Sequence, residues 1–304
     1  MNRYARKKDR EELLELCLNS MAMKEKAYLE YYFHNIFTDG SALISELDNK
    51  LISQIHVNSH VLQFKKKRLE VSYLSAIATH YDYRKRGIMR DLMEILLEDC
   101  SNNHLLTFME ASNPRLFERY GFEVICERKR YTIYAREMLK YSSKNVSEEV
   151  DPEELSAIYH RFASRFDCYY DRDDEYYRNL LAFAHYKGSH VCVYRDENGE
   201  AKGYAFYEEL EDGVEIKEII YEDTKSLCRM IKYAIGLNPY ISVEVSSAER
   251  LEKIFKMSIP RTHNAVLARI NNLKLLNQLY NTNVKNVKEL MDTLDKPILI
   301  HEKC

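Results

Sequence analysis

The run Arg84-Lys85-Arg86-Gly87-Ile88-Met89-Arg90 has residue types whose order suits anion chemistry. It follows a small-apolar strand, Leu74 to Ala78, and opens a segment in which Ile88, Leu92, Ile95 and Leu96 recur on one helical face. A helix that starts there leaves its first backbone N–H groups unpaired, and its dipole places partial positive charge at the same end. Arg84, Lys85, Arg86 and Arg90 add local charge, while Gly87 keeps a side chain from holding an anion away from the amides. A pyrophosphate is the natural guest. On this motif alone, a solvated basic turn with glycine for geometry is an equal alternative.

The elements that must position this turn can be read around it. Tyr4 and Ala5 end a short strand, and Leu13, Leu14, Cys17 and Leu18 then recur at helical spacing. A second helix is expected from about Lys24 to Phe37. Strands follow at Ala42 to Leu47, Leu51 to Val57, Val61 to Phe64 and Leu69 to Thr79, with Asp48-Asn49 as a hairpin turn. After the basic turn and its helix come a strand at Leu105 to Met109, a short helix at Asn113 to Arg119 and a long strand at Phe122 to Tyr134. The polar stretch from Ser143 to Val150 reads as a linker, and the second half repeats the same classes of element. From Ala265 a strand, two short helices and a final strand complete the chain.

Length and composition bound the rest. With 304 residues, the chain suits two units of about 150. Hydrophobic residues at 45% and charged residues at 31% indicate packed cores rather than disorder. The formal net charge of -3 argues against a chain-wide basic footprint for nucleic acid or anionic membrane. Lys65-Lys66-Lys67-Arg68 reads as a solvated hairpin tip. Seven scattered cysteines form no Cys-x-x-Cys pair, so reduced thiols in a cytoplasm and no metal site are expected. The charged N-terminus lacks the apolar core of a signal peptide, and no stretch reaches the ~20 apolar residues of a membrane span.

With these residues in place, the segment from Ala78 to Cys100 resembles the coenzyme A pyrophosphate motif of the GNAT N-acetyltransferase superfamily, Arg/Gln-x-x-Gly-x-Gly/Ala, here Arg84-x-x-Gly87-x-Met89. The large Met89 is similar to the branch resembling the enhanced intracellular survival protein. Asn113 to Phe122, with its Gly121-Phe122 turn, resembles the short helix and turn by which such proteins close the acyl site. The resemblance implies that Ile77, Ala78 and Thr79 lie on a splayed strand that pairs with the pantetheine arm. It also puts Ser112 and Asn113 beside the thioester, and makes Arg84, Lys85, Arg86, Gly87, Ile88, Met89 and Arg90 the pyrophosphate cradle.

The same likeness exposes a gap. The family commonly places an acidic tyrosine four residues before the glycine of that turn, and the position here is Phe117, which has no proton to give. Tyr120 lies three residues on and is the substitute candidate for the acid, with core packing as its other reading. Candidate bases are Glu110, His80 and, by likeness to the relatives, the terminal carboxylate of Cys304. Asp167, Asp171, Asp173, Asp174 and Glu175 interleave with Tyr169, Tyr170, Tyr176 and Tyr177. That mixture could attract a cationic amine, although a charged helix start explains it more simply.

The expected architecture is α+β: two tandem GNAT-like domains, each a mixed, mostly antiparallel twisted sheet flanked by helices. The expected division is residues 1–143, residues 144–264, and a short extension at 265–304 taken as a truncated sterol-carrier-like piece. The expected activity is acetyl-CoA-dependent acetyl transfer to a primary amine of a small molecule or peptide. The alternative is a non-catalytic acyl-CoA-binding or sensing protein. In the second half the corresponding turn, Glu222-Asp223-Thr224-Lys225-Ser226, has two carboxylates and no glycine, so that half is expected to bind no coenzyme A. A homo-oligomer is left open.

Overall fold

The computed structural model describes residues 1–20, 26–111 and 113–300, leaving aside the side chains of Ser20, Asn264 and Ala265. In chain order the elements begin β1 (Asn2–Tyr4), α1 (Arg10–Ser20), α2 (Lys26–Tyr31), β2 (Ala42–Leu47), β3 (Lys50–Phe64), β4 (Lys67–Thr79) and α3 (Ile88–Asn103). They continue through β5 (Leu106–Glu110), α4 (Arg115–Glu118), β6 (Glu123–Tyr134), β7 (Val146–Ser147), α5 (Pro152–Ala163), β8 (Cys168–Tyr170) and α6 (Asp174–Lys187). The remainder is β9 (His190–Arg195), β10 (Ala201–Glu209), β11 (Val214–Tyr221), α7 (Thr224–Ile235), β12 (Tyr240–Ser246), β13 (Arg261–Ile270), α8 (Leu273–Tyr280), α9 (Val287–Asp292) and β14 (Ile298–Leu299).

These elements form two compact units. The first comprises Met1–Leu62, Lys67–Ile125 and Val266–Thr293, and the second Gln63–Lys66, Cys126–Ala265 and Leu294–Cys304. This division departs from the three consecutive blocks read from the sequence. The stretch expected as a linker contains β7, which pairs antiparallel with β9. Residues 266–270, expected in an extension, pair antiparallel with β5 from Val266 opposite Glu110 to Ile270 opposite Leu106. Strand partners far apart in sequence leave no trace in local periodicity, which explains why neither feature was readable.

In the first unit the strands lie in the order β1-β2-β3-β4-β5 with the end of β13 outermost. The β1/β2, β2/β3 and β5/β13 pairs are antiparallel, and β4/β5 is parallel. One face is covered by α3, whose Leu92, Met93, Leu96, Leu97 and Cys100 are buried against Leu43, Ile55, Leu74 and Met109. Each large apolar side chain so buried contributes roughly 1.5–3 kcal/mol. The other face packs Leu13, Cys17, Leu29, Tyr32, Phe33 and Phe37 against Ala42 and Ile44. The helix expected to reach Phe37 finishes as a π turn over Tyr32–Ile36, closed by the Phe37 N–H donating to the Tyr32 carbonyl at 2.9 Å. β3 is a single strand rather than two, because Asn58, Ser59 and His60 lie on its less buried stretch and mimic a break.

In the second unit the order is β6-β12-β11-β10-β9-β7, with β8 and β14 paired apart from that path. Only β11/β12 among these six is a parallel pair. α7 buries Leu227, Cys228, Met230, Ile231 and Ile235 against Ile216, Ile219, Ile241 and Val243. The plan repeats that of the first unit: strands, a parallel pair, and a helix between its two members.

Candidate active site

The site in the first unit grows from the way β4 leaves its neighbour. β4 and β5 are in parallel register from Ser72 opposite Thr107 to Leu74 opposite Met109, and the register stops there although β4 runs on to Thr79. At Ala76 the backbone takes a left-handed φ of 45°, which a side chain tolerates at a cost of about 1 kcal/mol and which bends the strand as a bulge does. Ile77, Ala78 and Thr79 therefore lie where the two strands have parted. Buried Ser53 on β3 secures them from the opposite side. Its hydroxyl donates to the Ala78 carbonyl at 3.0 Å and lies 2.8 Å from the Thr79 hydroxyl.

Beyond Thr79 the chain turns through Tyr81–Tyr83, with the His80 ring accepting the Asp82 N–H and stacking on Tyr81 at 4.6 Å. The Arg84 guanidinium donates to the Thr79 carbonyl at 3.0 Å, which joins the basic turn to the end of β4. Lys85 has φ 62° and Gly87 φ 85°, so the chain reverses twice before α3 begins with Gly87 as its N-cap. The first helix-closing bond is Asp91 N–H to the Gly87 carbonyl at 3.0 Å. Amides before it have no partner in the helix. Arg86 lies over the Tyr83 ring at 5.1 Å, and Arg90 is held by Asp91 at 3.0 Å. A Cβ built on Gly87 meets the Arg90 side chain, nearest at 3.0 Å, so a guanidinium already lies beside the helix start.

Ile77, Met89 and Tyr120 all border the same apolar cluster under α3, so strand, turn and Gly-Phe loop converge. Met89 turns toward that core, which is why a large residue fits where the motif usually has a small one. Ile88 is half-buried at the first helical position. Phe117 is buried and meets Phe122 edge-on, with ring centroids 6.4 Å apart. Tyr120 is half-buried, and burial raises its phenol above its ordinary range, opposed by the Arg119 charge. Its carbonyl accepts from the Arg269 guanidinium at 2.9 Å. Asn113 opens the turn before α4, its carbonyl accepting from the Leu116 N–H at 3.3 Å. Glu110 ends β5, exposed, opposite Val266. Ser112 and Cys304 lie outside the described residues. Ala76, Ser53 and Arg269 carry no signal in the sequence, since none belongs to a motif and their roles arise from strand pairing.

The acidic and aromatic run in the second unit resolves differently. Asp173 caps α6 by accepting the Tyr176 N–H at 2.9 Å, and Asp167 accepts the Asp295 and Lys296 amides at 3.0 and 2.9 Å. The cation beside the tyrosines is the chain's own Arg172, 4.5 Å from the Tyr159 ring centroid and 4.6 Å from that of Tyr176, paired with Glu218 at 2.7 Å. At the turn before α7, Asp223 takes the Ser226 N–H at 2.7 Å while the Ser226 hydroxyl accepts the Asp223 N–H at 3.2 Å. Among the described residues no group of three or more His, Cys, Asp or Glu side chains is placed to hold a metal ion, and no helix is long and apolar enough to cross a membrane.

Comparison with known families settles what this architecture is. Residues 2–125 match one model of the acetyltransferase (GNAT) domain, and residues 168–270 match another. The chain carries two tandem GNAT domains. Its fold resembles that of an Enterococcus faecalis protein described as a probable N-acyltransferase, with a TM-score of 0.73 at 18% identity over 89% of this chain and 72% of that one. Eis1 from Mycobacterium abscessus gives 0.68 at 14% identity, over 90% and 75%. A GCN5-related N-acetyltransferase from Anabaena variabilis gives 0.71 at 15%, over 90% and 73%. Identities this low speak for the fold alone. A search of curated proteins gives no match.

Proposed function

We propose that this GNAT protein transfers an acetyl group from acetyl-CoA directly to a primary amine, with the first unit as the cofactor-binding half. The observation that carries this reading is the parting of β4 from β5 after Leu74 and Met109, which leads straight into a glycine-capped helix start. In this reading the backbone of Ile77, Ala78 and Thr79 receives the pantetheine arm and a donor there polarises the thioester carbonyl. The amides from Gly87 to Arg90, with the charges of Arg84, Lys85 and Arg86, take the pyrophosphate. Ser112 and Asn113 stand beside the thioester.

The amine nitrogen attacks the carbonyl carbon, the carbon–sulfur bond breaks, and the thiolate takes a proton. Tyr120 is the proposed donor, since a phenol whose range is raised by burial remains protonated at neutral pH. Glu110 takes the proton lost by the amine. The acceptor is a small-molecule or peptide amine, and the setting is cytoplasmic. In the second unit the Asp223 carboxylate already satisfies a helix-start amide that a phosphate would need, which supports a single coenzyme A per chain.

The buried Phe117 favours a second reading, a protein that binds acyl-CoA without turning it over. The test is incubation with acetyl-CoA and a panel of polyamines, aminoglycosides and peptides, followed by mass analysis of the amines. Acetylated product that disappears in Gly87→Glu is the expected result. Tight acetyl-CoA binding with no product across the panel would replace the transferase reading with the second one.

A further inference from the structure

The second unit repeats the parting of strands seen in the first. β11 and β12 are in parallel register from Val214 opposite Ile241 to Ile216 opposite Val243, and the register ends there although β11 continues to Tyr221 and β12 to Ser246. Around the parted ends lies a cavity of only about 30 Å³, bordered by Ile219 and Ile220 of β11, Val245 and Ser246 of β12, and residues Ile298, Leu299 and Ile300. That space holds roughly a water molecule or two. What fills the rest of the cleft is the chain's own last described segment.

Its contacts are those of a bound peptide. Ile298 and Leu299 pair in parallel with Cys168 and Tyr169. The Ser246 hydroxyl donates to the Ile298 carbonyl at 3.3 Å, and the Arg128 guanidinium donates to the Ile300 carbonyl at 2.8 Å. Leu299 and Ile300 are buried, so the apolar side chains are seated as well as the backbone. Arg128 is itself buried and paired with Glu244 at 3.3 Å. A guanidinium withdrawn from water depends on every acceptor it has, which makes the Ile300 carbonyl part of what holds that charge inside.

We infer that the parted-strand cleft of the second GNAT unit is a peptide-binding groove whose ligand is the chain's own last described segment, β14 and the adjoining Ile300. The side chains and carbonyls of this segment lie against the parted ends of β11 and β12. The inference does not rest on the transferase reading, since it concerns only groups of the second unit.

Hydrogen exchange on the full-length protein tests it. In the wild type the amides at 298–300 and at Ile219 to Tyr221 exchange far more slowly than exposed turns. Arg128→Met speeds both segments together, by about tenfold or more, the loss expected for a charged hydrogen bond. Exchange at 298–300 as fast as in exposed turns, or a change confined to β6, would overturn the inference. Ile300→Glu provides a check that keeps the groove itself intact, because it drives the strand out and leaves Arg128 and Ser246 in place. A synthetic peptide of residues 296–304 then binds this variant saturably and the wild type not at all. Failure of the peptide to bind an Ile300→Glu protein of native circular dichroism would also overturn it.

Discussion

At position 87 a side chain faces two obstacles of different hardness. The Arg90 guanidinium, 3.0 Å from the place of a Cβ, can swing aside, whereas the backbone φ of 85° costs a non-glycine residue about 1–2 kcal/mol. A Gly87→Glu protein is therefore expected to fold and, on the proposed function, to lose anion binding, because its carboxylate would stand where the phosphate is proposed to bind. Just before the Gly-Phe turn the chain poses the opposite problem: Phe117 is buried and has no proton, while Tyr120 is half-buried beside the same cluster. Tyr120→Phe is expected to lower kcat by about tenfold or more with the KM for acetyl-CoA unchanged. A kcat equal to wild type in steady-state assays would remove Tyr120 from the chemistry. The basic turn with Arg84 and Gly87 was legible as a candidate from residue type and spacing, and Tyr120 only through the likeness to the family. Ser53 and Arg269 were not, because a serine within a strand and an arginine near the end of the chain are common, and only pairing shows what they hold.

The order of strand, basic turn and helix could be read because three signals agree: a small-apolar run, a glycine, and a helical stripe. The bend in β4 could not, since Ala76 has no preference for a left-handed backbone and adopts it only under the constraint of its neighbours. The turn after α2 was likewise hidden. There the π turn brings Tyr32, Phe33 and Phe37 around His56 of β3, which is fully buried, with its Nδ1 3.1 Å from the Tyr32 hydroxyl. Among the described residues its Nε2 has no hydrogen-bond partner, and burial pushes its pKa down to about 3. The unfolded chain takes up this proton near pH 6.5 and the fold refuses it until about pH 3, so the stabilisation is complete above pH 6.5 and is lost as pH falls. Denaturant unfolding of the wild type should weaken by up to about 1.4 kcal/mol per pH unit across that window. His56→Gln should flatten that slope, and an unchanged slope would mean that other groups set it.

For the whole molecule, the repeated plan was readable as two α+β halves, but the way residues 266–293 join the first unit and 294–300 the second was not. Contacts between strands well over a hundred residues apart are set by the fold's closure rather than by local pattern, so a short tail reads as an appendage. The two halves share one scaffold and differ at the helix start: glycine and bare amides before α3, a carboxylate cap before α7. The proposed function therefore predicts one cofactor site per chain. Calorimetric titration of the full-length protein with acetyl-CoA at moderate salt tests this most directly, with Gly87→Glu alongside. Saturable binding at one site per chain, weakened at least about a hundredfold in the variant while its melting temperature falls by only a few degrees, is the predicted result. No heat at millimolar acetyl-CoA, two sites per chain, or equal affinity in Gly87→Glu would contradict it.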